Sequence, residues 1–334
     1  MAPSSQTFLI LDTFNFLHRA YHAIPTNFHD KDGNPTNAVY GVSSMLISVL
    51  TEYQPTYVAA AFESKEKETF RAAEFVGYKA HRPEMENDLR VQIPIVEKVF
   101  AAIGVKRVAL EGFEADDVIG CLTKITPTSP TNPNPPTFSA TEKGSEAKPS
   151  VTTLIVSNDQ DILQLVNERV KVVSPAFGQK KAEIFDTAAV IAKYGFKPSQ
   201  MIDYKALRGD PSDNIPGVFG IGEKTAKDLV AQFGSVDNLY QHLEQVEKAA
   251  VRQKLAEGAE LAAQSKRLAT IRCDLPLPIK LEDLTLLPTW KAGASGVFQE
   301  LHFKSLVSRL ENKPTASISH TSSTKNPQGQ LNLL

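Results

Sequence analysis

Nine acidic residues, scattered between positions 12 and 213, carry most of the chemistry legible in this sequence. Asp12, Glu63 and the pair Asp159 and Asp161 each follow a short apolar run: Phe8 to Leu11, Val58 to Phe62 and Leu154 to Val156. Glu114, Asp116 and Asp117 sit in Gly-Phe-Glu-Ala-Asp-Asp-Val-Ile-Gly, at the expected start of a helix, and Asp210 and Asp213 lie between Gly209 and Gly217. Taken singly, the helix-start acids are accounted for by the helix dipole, worth about 0.3 to 1 kcal/mol, and the last pair by turn chemistry. Taken together, with no His or Cys arranged beside them, they form an oxygen-only donor set that suits Mg2+ or Mn2+. Two such ions about 4 Å apart activate a water and stabilise the leaving oxygen of a phosphodiester. Nucleic-acid hydrolysis is the chemistry this set implies.

The elements that must position the acids follow from the same runs. They are continuous rather than alternating, and helical stretches such as Gly41 to Tyr53 and Asp88 to Ile103 separate them, which is the pattern of a parallel sheet covered on both faces. The fold class is therefore α/β, with the acids outside the carboxyl ends of the strands, where such sheets bind ligands. Pro127, Pro130, Pro133, Pro135 and Pro136 among Thr, Ser and Asn mark 126–150 as a disordered insertion between a helix ending near Lys124 and a strand beginning near Val151. After Ala182 the pattern turns helical: Thr187 to Tyr194, Pro198 to Leu207, Glu223 to Phe233 and Ala249 to Thr270. This predicts a core over 6–185, a helical region over 186–311 and a flexible tail over 312–334.

Two elements could handle phosphate. Phe70-Arg71 and Tyr78-Lys79-Ala80-His81-Arg82 interleave basic and aromatic side chains, as a backbone clamp that also stacks unpaired bases would; a solvated basic face is the competing reading. Gly217 to Ala226 has glycines for a tight turn, then backbone N–H groups opening a helix with Lys224 in its first turn, a grip on phosphate that ignores sequence. The net charge of −2 leaves no global field for nucleic acid, and two bound divalent ions would turn it to +2. Cys121 and Cys273 are too few for a disulfide framework and read as core fillers of a reducing compartment. No apolar run approaches the roughly 20 residues that span a bilayer, and the first residues lack a basic n-region, so the expectation is a cytoplasmic protein without membrane contact.

With these motifs in place, the chain resembles the 5′-nuclease domain of bacterial DNA polymerase I and its stand-alone relatives in the flap endonuclease superfamily. The segments that carry the resemblance are Leu17 to Ala23, Glu114-Ala115-Asp116-Asp117, Asn158-Asp159-Gln160-Asp161, Gly209 to Ala226 and Leu301 to Leu306. The resemblance implies a PIN-like parallel sheet flanked by helices, a helical arch over the active site, and a helix-three-turn-helix region binding DNA. It implies Asp12, Glu63, Glu114 and Asp116 as ligands of one Mg2+, and Asp159, Asp161 and Asp213 as ligands of a second, with Asp117 and Asp210 in support and Mn2+ able to substitute. Lys79 and Arg82 are then the arch bases at the scissile phosphate, with Arg71 and Arg19 as secondary phosphate contacts and Tyr78 as a base-stacking ring. Gly220, Ile221 and Gly222, with Lys224 and Thr225, resemble a hairpin that holds duplex through backbone-bound K+.

Glu63 stands where the family usually has Asp, and Thr13 replaces a customary small residue. The implied substrates are nicked, branched or 5′-flap DNA, RNA-primed DNA included, cut by a monomer at the bacterial nucleoid during primer removal and repair. The chain is then either a stand-alone enzyme or the amino-terminal part of a polymerase. Gln330, Leu331, Leu333 and Leu334 resemble a sliding-clamp-binding peptide. A structure-specific DNA binder that has lost cleavage and an RNA-directed nuclease are the alternatives.

Overall fold

The computed structural model describes residues 6–31, 33–64, 68–126, 151–175 and 182–311. The insertion from 127 to 150 and the tail from 312, with its expected clamp peptide, lie outside them. Thr126, placed in the insertion by composition, is buried, and its hydroxyl donates to the Thr123 carbonyl at 3.1 Å, so it closes the preceding helix.

The chain opens with strand β1 (Gln6–Asp12), helix α1 (Thr13–Ala23), helix α2 (Asn37–Tyr53) and strand β2 (Tyr57–Ala61). Two short helices, α3 (Phe70–Glu74) and α4 (Asn87–Arg90), flank a segment of turns where a helical arch was expected; α5 (Ile93–Ile103), β3 (Lys106–Val108), α6 (Ala115–Leu122) and β4 (Val151–Val156) complete the central layers. Then come β5 (Val170–Ser174), β6 (Glu183–Phe185), α7 (Thr187–Tyr194) and α8 (Met201–Arg208). Helices α9 (Glu223–Phe233), α10 (Val236–Gln241), α11 (Ala249–Glu257), α12 (Ala259–Ala269), α13 (Trp290–Glu300) and α14 (Lys304–Glu311) follow.

The six strands run in the order β3-β2-β1-β4-β5-β6. All neighbours are parallel except β5 and β6, so the sheet is parallel with one antiparallel edge. Phe8 to Leu11 are fully buried at its centre, because β1 is covered on both faces. Register then does the positioning. Leu11 pairs with Val156, which sets Asp12 level with Ser157, and Asp12 pairs with Ala61, which sets Glu63 just beyond the sheet edge of the same end.

The expected helix from Ala249 to Thr270 is two helices that meet at Gly258, where an added Cβ would come within 2.7 Å of Val218 Cγ1; the break lets the 217–222 hairpin approach. Phe298, Leu301, Phe303 and Leu306 share a core with Leu9, Leu46 and Phe100, so α13 and α14 return to cover the first layer of the sheet. Their apolar spacing alone did not say which face of the molecule they would seek.

Gly293 makes this docking close: a Cβ there would meet the Ala102 carbonyl oxygen at 1.9 Å. Gly296, one turn on, has nothing within 4 Å. Gly293→Ala is therefore expected to lower stability by about 1–3 kcal/mol through overpacking. Gly296→Ala should raise it by up to about 1 kcal/mol through helix propensity. Urea unfolding of the two variants checks the pair, and equal effects would contradict the packing described.

Candidate active site

The nine acids gather at the carboxyl end of the sheet, brought there by five different segments. Asp12 is the N-cap of α1, accepting from Asn15 N–H at 3.3 Å, and its other oxygen accepts from Ser157 Oγ at 2.6 Å. The same Ser157 oxygen accepts from Asp159 N–H at 3.0 Å, so one hydroxyl ties the ends of β1 and β4 together. Glu114 precedes α6, and Asp117 Oδ2 accepts from Glu114 N–H at 3.2 Å. Dipole electrostatics and site chemistry thus use the same acids.

The loop from Gly209 to Gly217 presents the last two. It closes on itself through the Asp210 and Ile215 bridge, and a Cβ at Gly217 would lie 2.2 Å from Gly209 N, so both positions require glycine. This loop is stitched to the arch. Lys79 N–H donates to the Asp213 carbonyl at 2.9 Å, Arg82 Nε to the Ser212 carbonyl at 3.3 Å, and Asn214 Nδ2 to the Gly77 carbonyl at 2.6 Å. Lys79 adopts φ +53°, a left-handed conformation that is strained for a lysine and is held by these contacts.

Charge divides the acids into two groups. Five are paired with cations of the chain. Arg71 reaches Glu114 at 2.9 Å and Asp117 at 2.7 and 2.8 Å; Lys79 Nζ reaches Glu114 at 2.6 Å; Arg82 reaches Asp213 at 2.5 Å. Lys205 Nζ contacts Asp161 and also Asp210, the latter at 2.5 Å. Burial opposes the Asp210 charge, but Lys205 and Ser212 outweigh it and hold its carboxyl below the usual range. Burial likewise opposes the Lys79 charge, and Glu114, Asp213 and Asp116 raise its pKa regardless.

Asp12, Glu63, Asp116 and Asp159 have no such partner among the described residues. Desolvation, with Asp159 and Glu63 nearby, pushes Asp12 up to about 7 against the hydrogen bond from Ser157. Asp116 is raised well above its ordinary value by desolvation and then by Asp159 and Asp12. Asp159 rises too, through desolvation and then Asp213 and Asp210, as does Glu63, through desolvation and then Glu114; Lys79 pulls both the other way. Glu63 combines this with an exposed side chain because it stands in an open cleft walled by protein.

The donor set fits a divalent cation in kind: oxygen atoms only, with carboxylates that repel one another until a cation joins them. Among the described residues, no three of these groups are drawn together around one point. Lys79, Arg82 and Lys205 occupy positions between them instead.

Three sequence expectations need correction. Arg71 is 2% exposed and its guanidinium also donates to the Leu268 and Thr270 carbonyls at 2.8 Å, so it braces the site from inside and is closed to phosphate. Tyr78 is 7% exposed, with its hydroxyl shared between Glu114 at 2.9 Å and Asp213 at 3.1 Å, so its ring is closed to bases. Ile221 is packed in the core and closed to DNA. Arg82, Lys224 and the backbone of Gly222 are open to solvent, and Arg19 is half-buried beside Asn15. Gly220 adopts φ +77°, and its carbonyl, where K+ was expected, accepts from Lys254 Nζ at 3.3 Å. Sequence reading missed Ser157, Lys205 and Lys254; only the spacing of Lys205, five residues before Asp210 on the same helix and turn, offered a signal.

Two outcomes follow. Arg71→Ala leaves two buried carboxylates without their cation and should cost roughly 3–5 kcal/mol, with Arg71→Lys unable to restore the forked geometry. Chemical denaturation checks this, and an unchanged midpoint would place Arg71 at the surface after all. The raised acids bind protons more tightly folded than unfolded, so the metal-free protein should lose stability as pH rises from about 4 through about 7. Thermal melts should show Mg2+ raising the midpoint by several degrees near pH 7.5 and far less near pH 5.

Comparison with known proteins identifies the family. Residues 7–132 match the family described as 5'-3' exonuclease, N-terminal resolvase-like domain, and residues 196–292 match 5'-3' exonuclease, C-terminal SAM fold. The second match ends where α13 returns to the core. DNA polymerase I of Caldicellulosiruptor bescii is 39% identical over 304 residues, 90% of this chain and 33% of the relative, so the chain spans about a third of the length of that protein. The bacteriophage T5 D15 flap endonuclease, solved as a pseudo-enzyme-product complex with DNA and metal ions, aligns with a TM-score of 0.57 at 20% identity over 92% of this chain and 100% of its own. The catalytic core of Rad2 in complex with DNA substrate aligns at 0.57 and 12% identity, covering 92% and 93%. Residues 7–132 and 196–292 are thus the two parts of one nuclease fold, and the chain belongs to the 5'-3' exonuclease family, hydrolases that act on DNA.

Proposed function

We propose that this chain hydrolyses phosphodiesters at junctions between single-stranded and duplex DNA, 5′ to 3′ and with Mg2+, in primer removal and repair. The observation that carries the reading is the charge division: four acids without a cation lie beside two cations, Lys79 and Arg82, at the mouth of the same site. Asp12, Asp116, Asp159 and Glu63 would hold the divalent ions, which supply an activated water and stabilise the leaving oxygen. Mn2+ would substitute, since nothing but carboxylate oxygen is offered.

The chain's own residues do the rest. Lys79 Nζ and the Arg82 guanidinium, 20% and 48% exposed, exchange Glu114 and Asp213 for the incoming phosphate, so the site is neutralised before and after DNA arrives. Tyr78 stays between Glu114 and Asp213 and keeps both from turning away as the cations leave. The first turn of α9 begins at Gly222 with no side-chain cap, which leaves backbone N–H groups for duplex phosphates beside the exposed Lys224. Lys254 at the Gly220 carbonyl supplies positive charge to that hairpin, and K+ would add to it. DNA held in this way is gripped without base reading, by a monomer, and the last residues, Gln330 to Leu334, would tether the chain to a sliding clamp.

Cleavage of a 5′-flap substrate, followed across a divalent-ion series, tests the reading. Asp12→Asn and Asp116→Asn should each cut turnover roughly a hundredfold or more. DNA affinity should persist in both and fall log-linearly with salt. A chain that binds the flap but releases no product with either Mg2+ or Mn2+ is a binder, and RNA flaps cut faster than DNA flaps would move it to an RNA substrate.

A further inference from the structure

Asp159 also forms part of the wall of a cleft of about 670 Å3 that runs from α1 and the end of β4 to the last turn of α7. That volume lies within the roughly 300–1,000 Å3 of small-ligand sites. None of the contacts assigned above to DNA or metal, apart from Arg19 and Asp159, uses it.

Its far wall has an uncommon combination of groups. Lys193 Nζ lies 4.6 Å from the centre of the Phe185 ring and 5.7 Å from that of Tyr194, and it has no carboxylate partner among the described residues. The Tyr194 hydroxyl is buried and, among the described residues, makes no hydrogen bond. Asn158, at the floor, accepts from Ser174 Oγ at 2.6 Å and donates to Asn15 Oδ1 at 3.3 Å, so its amide is fixed in place. A cation held over aromatic rings, an uncommitted hydroxyl and a fixed amide are the groups that take a phosphate together with a base or sugar. Glu183 and Asp159, also in the wall, oppose a bare anion. The ligand must therefore add contact beyond its charge.

We propose that this cleft holds the 5′-terminal nucleotide of the strand being cut, with its phosphate at Lys193 and its sugar and base along the half-buried Tyr194 ring. This rests on the reading above, that a phosphodiester is hydrolysed beside Asp159. The geometry gives the leaving nucleotide a seat next to the reacting phosphate, and so gives the enzyme a preference for short 5′-phosphorylated products.

Deoxyadenosine 5′-monophosphate, deoxyadenosine and inorganic phosphate, each titrated into the full chain with Mg2+ present, test it by calorimetry. The nucleotide should bind more tightly than either fragment. Lys193→Ala should weaken it about tenfold, as the loss of a charge-assisted contact would. Lys193→Arg should recover most of that, and Tyr194→Phe should weaken binding without altering the fold. Inorganic phosphate binding as tightly as the nucleotide, or nucleotide binding unchanged in Lys193→Ala, overturns the proposal. A chain that cuts flaps but shows no Lys193-dependent nucleotide binding overturns the cleft alone. One that binds the nucleotide in this pattern yet cuts no DNA overturns the cleavage reading and leaves the nucleotide site standing.

Discussion

Concentrated negative charge at the end of one sheet is the constraint on which the rest of this structure depends. Two like charges 4 Å apart near a protein surface repel by roughly 4 kcal/mol, and nine carboxylates share this region. The chain offsets part of the repulsion with four of its own cations. Arg71 lies under the site, Lys205 at its side, and Lys79 and Arg82 at its mouth. The part left over falls on Asp12, Asp116, Asp159 and Glu63, whose carboxyls are held up in pKa as a result. The folded chain is thus built short of positive charge at one place, and under the proposed function a divalent cation would supply what is missing there.

The two kinds of cation do different work because of how they are held. Arg71 is enclosed and makes hydrogen bonds to backbone carbonyls as well as to both carboxylates, so it has no freedom to leave. Lys79 and Arg82 sit on a segment tied to the loop at 212–214 by hydrogen bonds, by ion pairs of both cations with Asp213, and by a small apolar cluster of Tyr78, Ile215, Leu268 and Ala269. That coupling joins the two cations to the loop that carries Asp213. A substrate phosphate that draws Lys79 away from Glu114 acts on the same loop that supplies Asp213.

Much of this was legible in the sequence, and the failures share a cause. Uninterrupted apolar runs gave away β1, β2 and β4, and the acids after them followed from the direction of parallel strands. Strand β3 has two exposed residues out of three, and β6 is an exposed antiparallel edge, so neither carried an apolar signature. Arg71 and Tyr78 look like a nucleic-acid clamp in composition, but a buried ion pair and a solvated basic face have the same letters. What separates them is the partner, and Arg71 finds Glu114 and Asp117 more than forty residues away. The pairing of Lys205 with Asp161 was invisible for the same reason, since nothing in a helix of mixed character announces that Asp161 will be folded against it. Placement of a charge is a property of the sheet register and the loop closures, which local sequence does not contain.

The most direct test of the account is calorimetric titration of Mn2+ into the DNA-free chain near pH 6.5, in two buffers of different ionisation enthalpy. Ligands held partly protonated must release protons when a cation binds. With Asp12 and Asp116 both raised, the account predicts a buffer-dependent heat from proton release on binding, smaller in Asp12→Asn. Mn2+ binding of equal affinity with no proton released would contradict it, because the ion would then be seated on carboxylates already ionised and the uncompensated acids would not be its site.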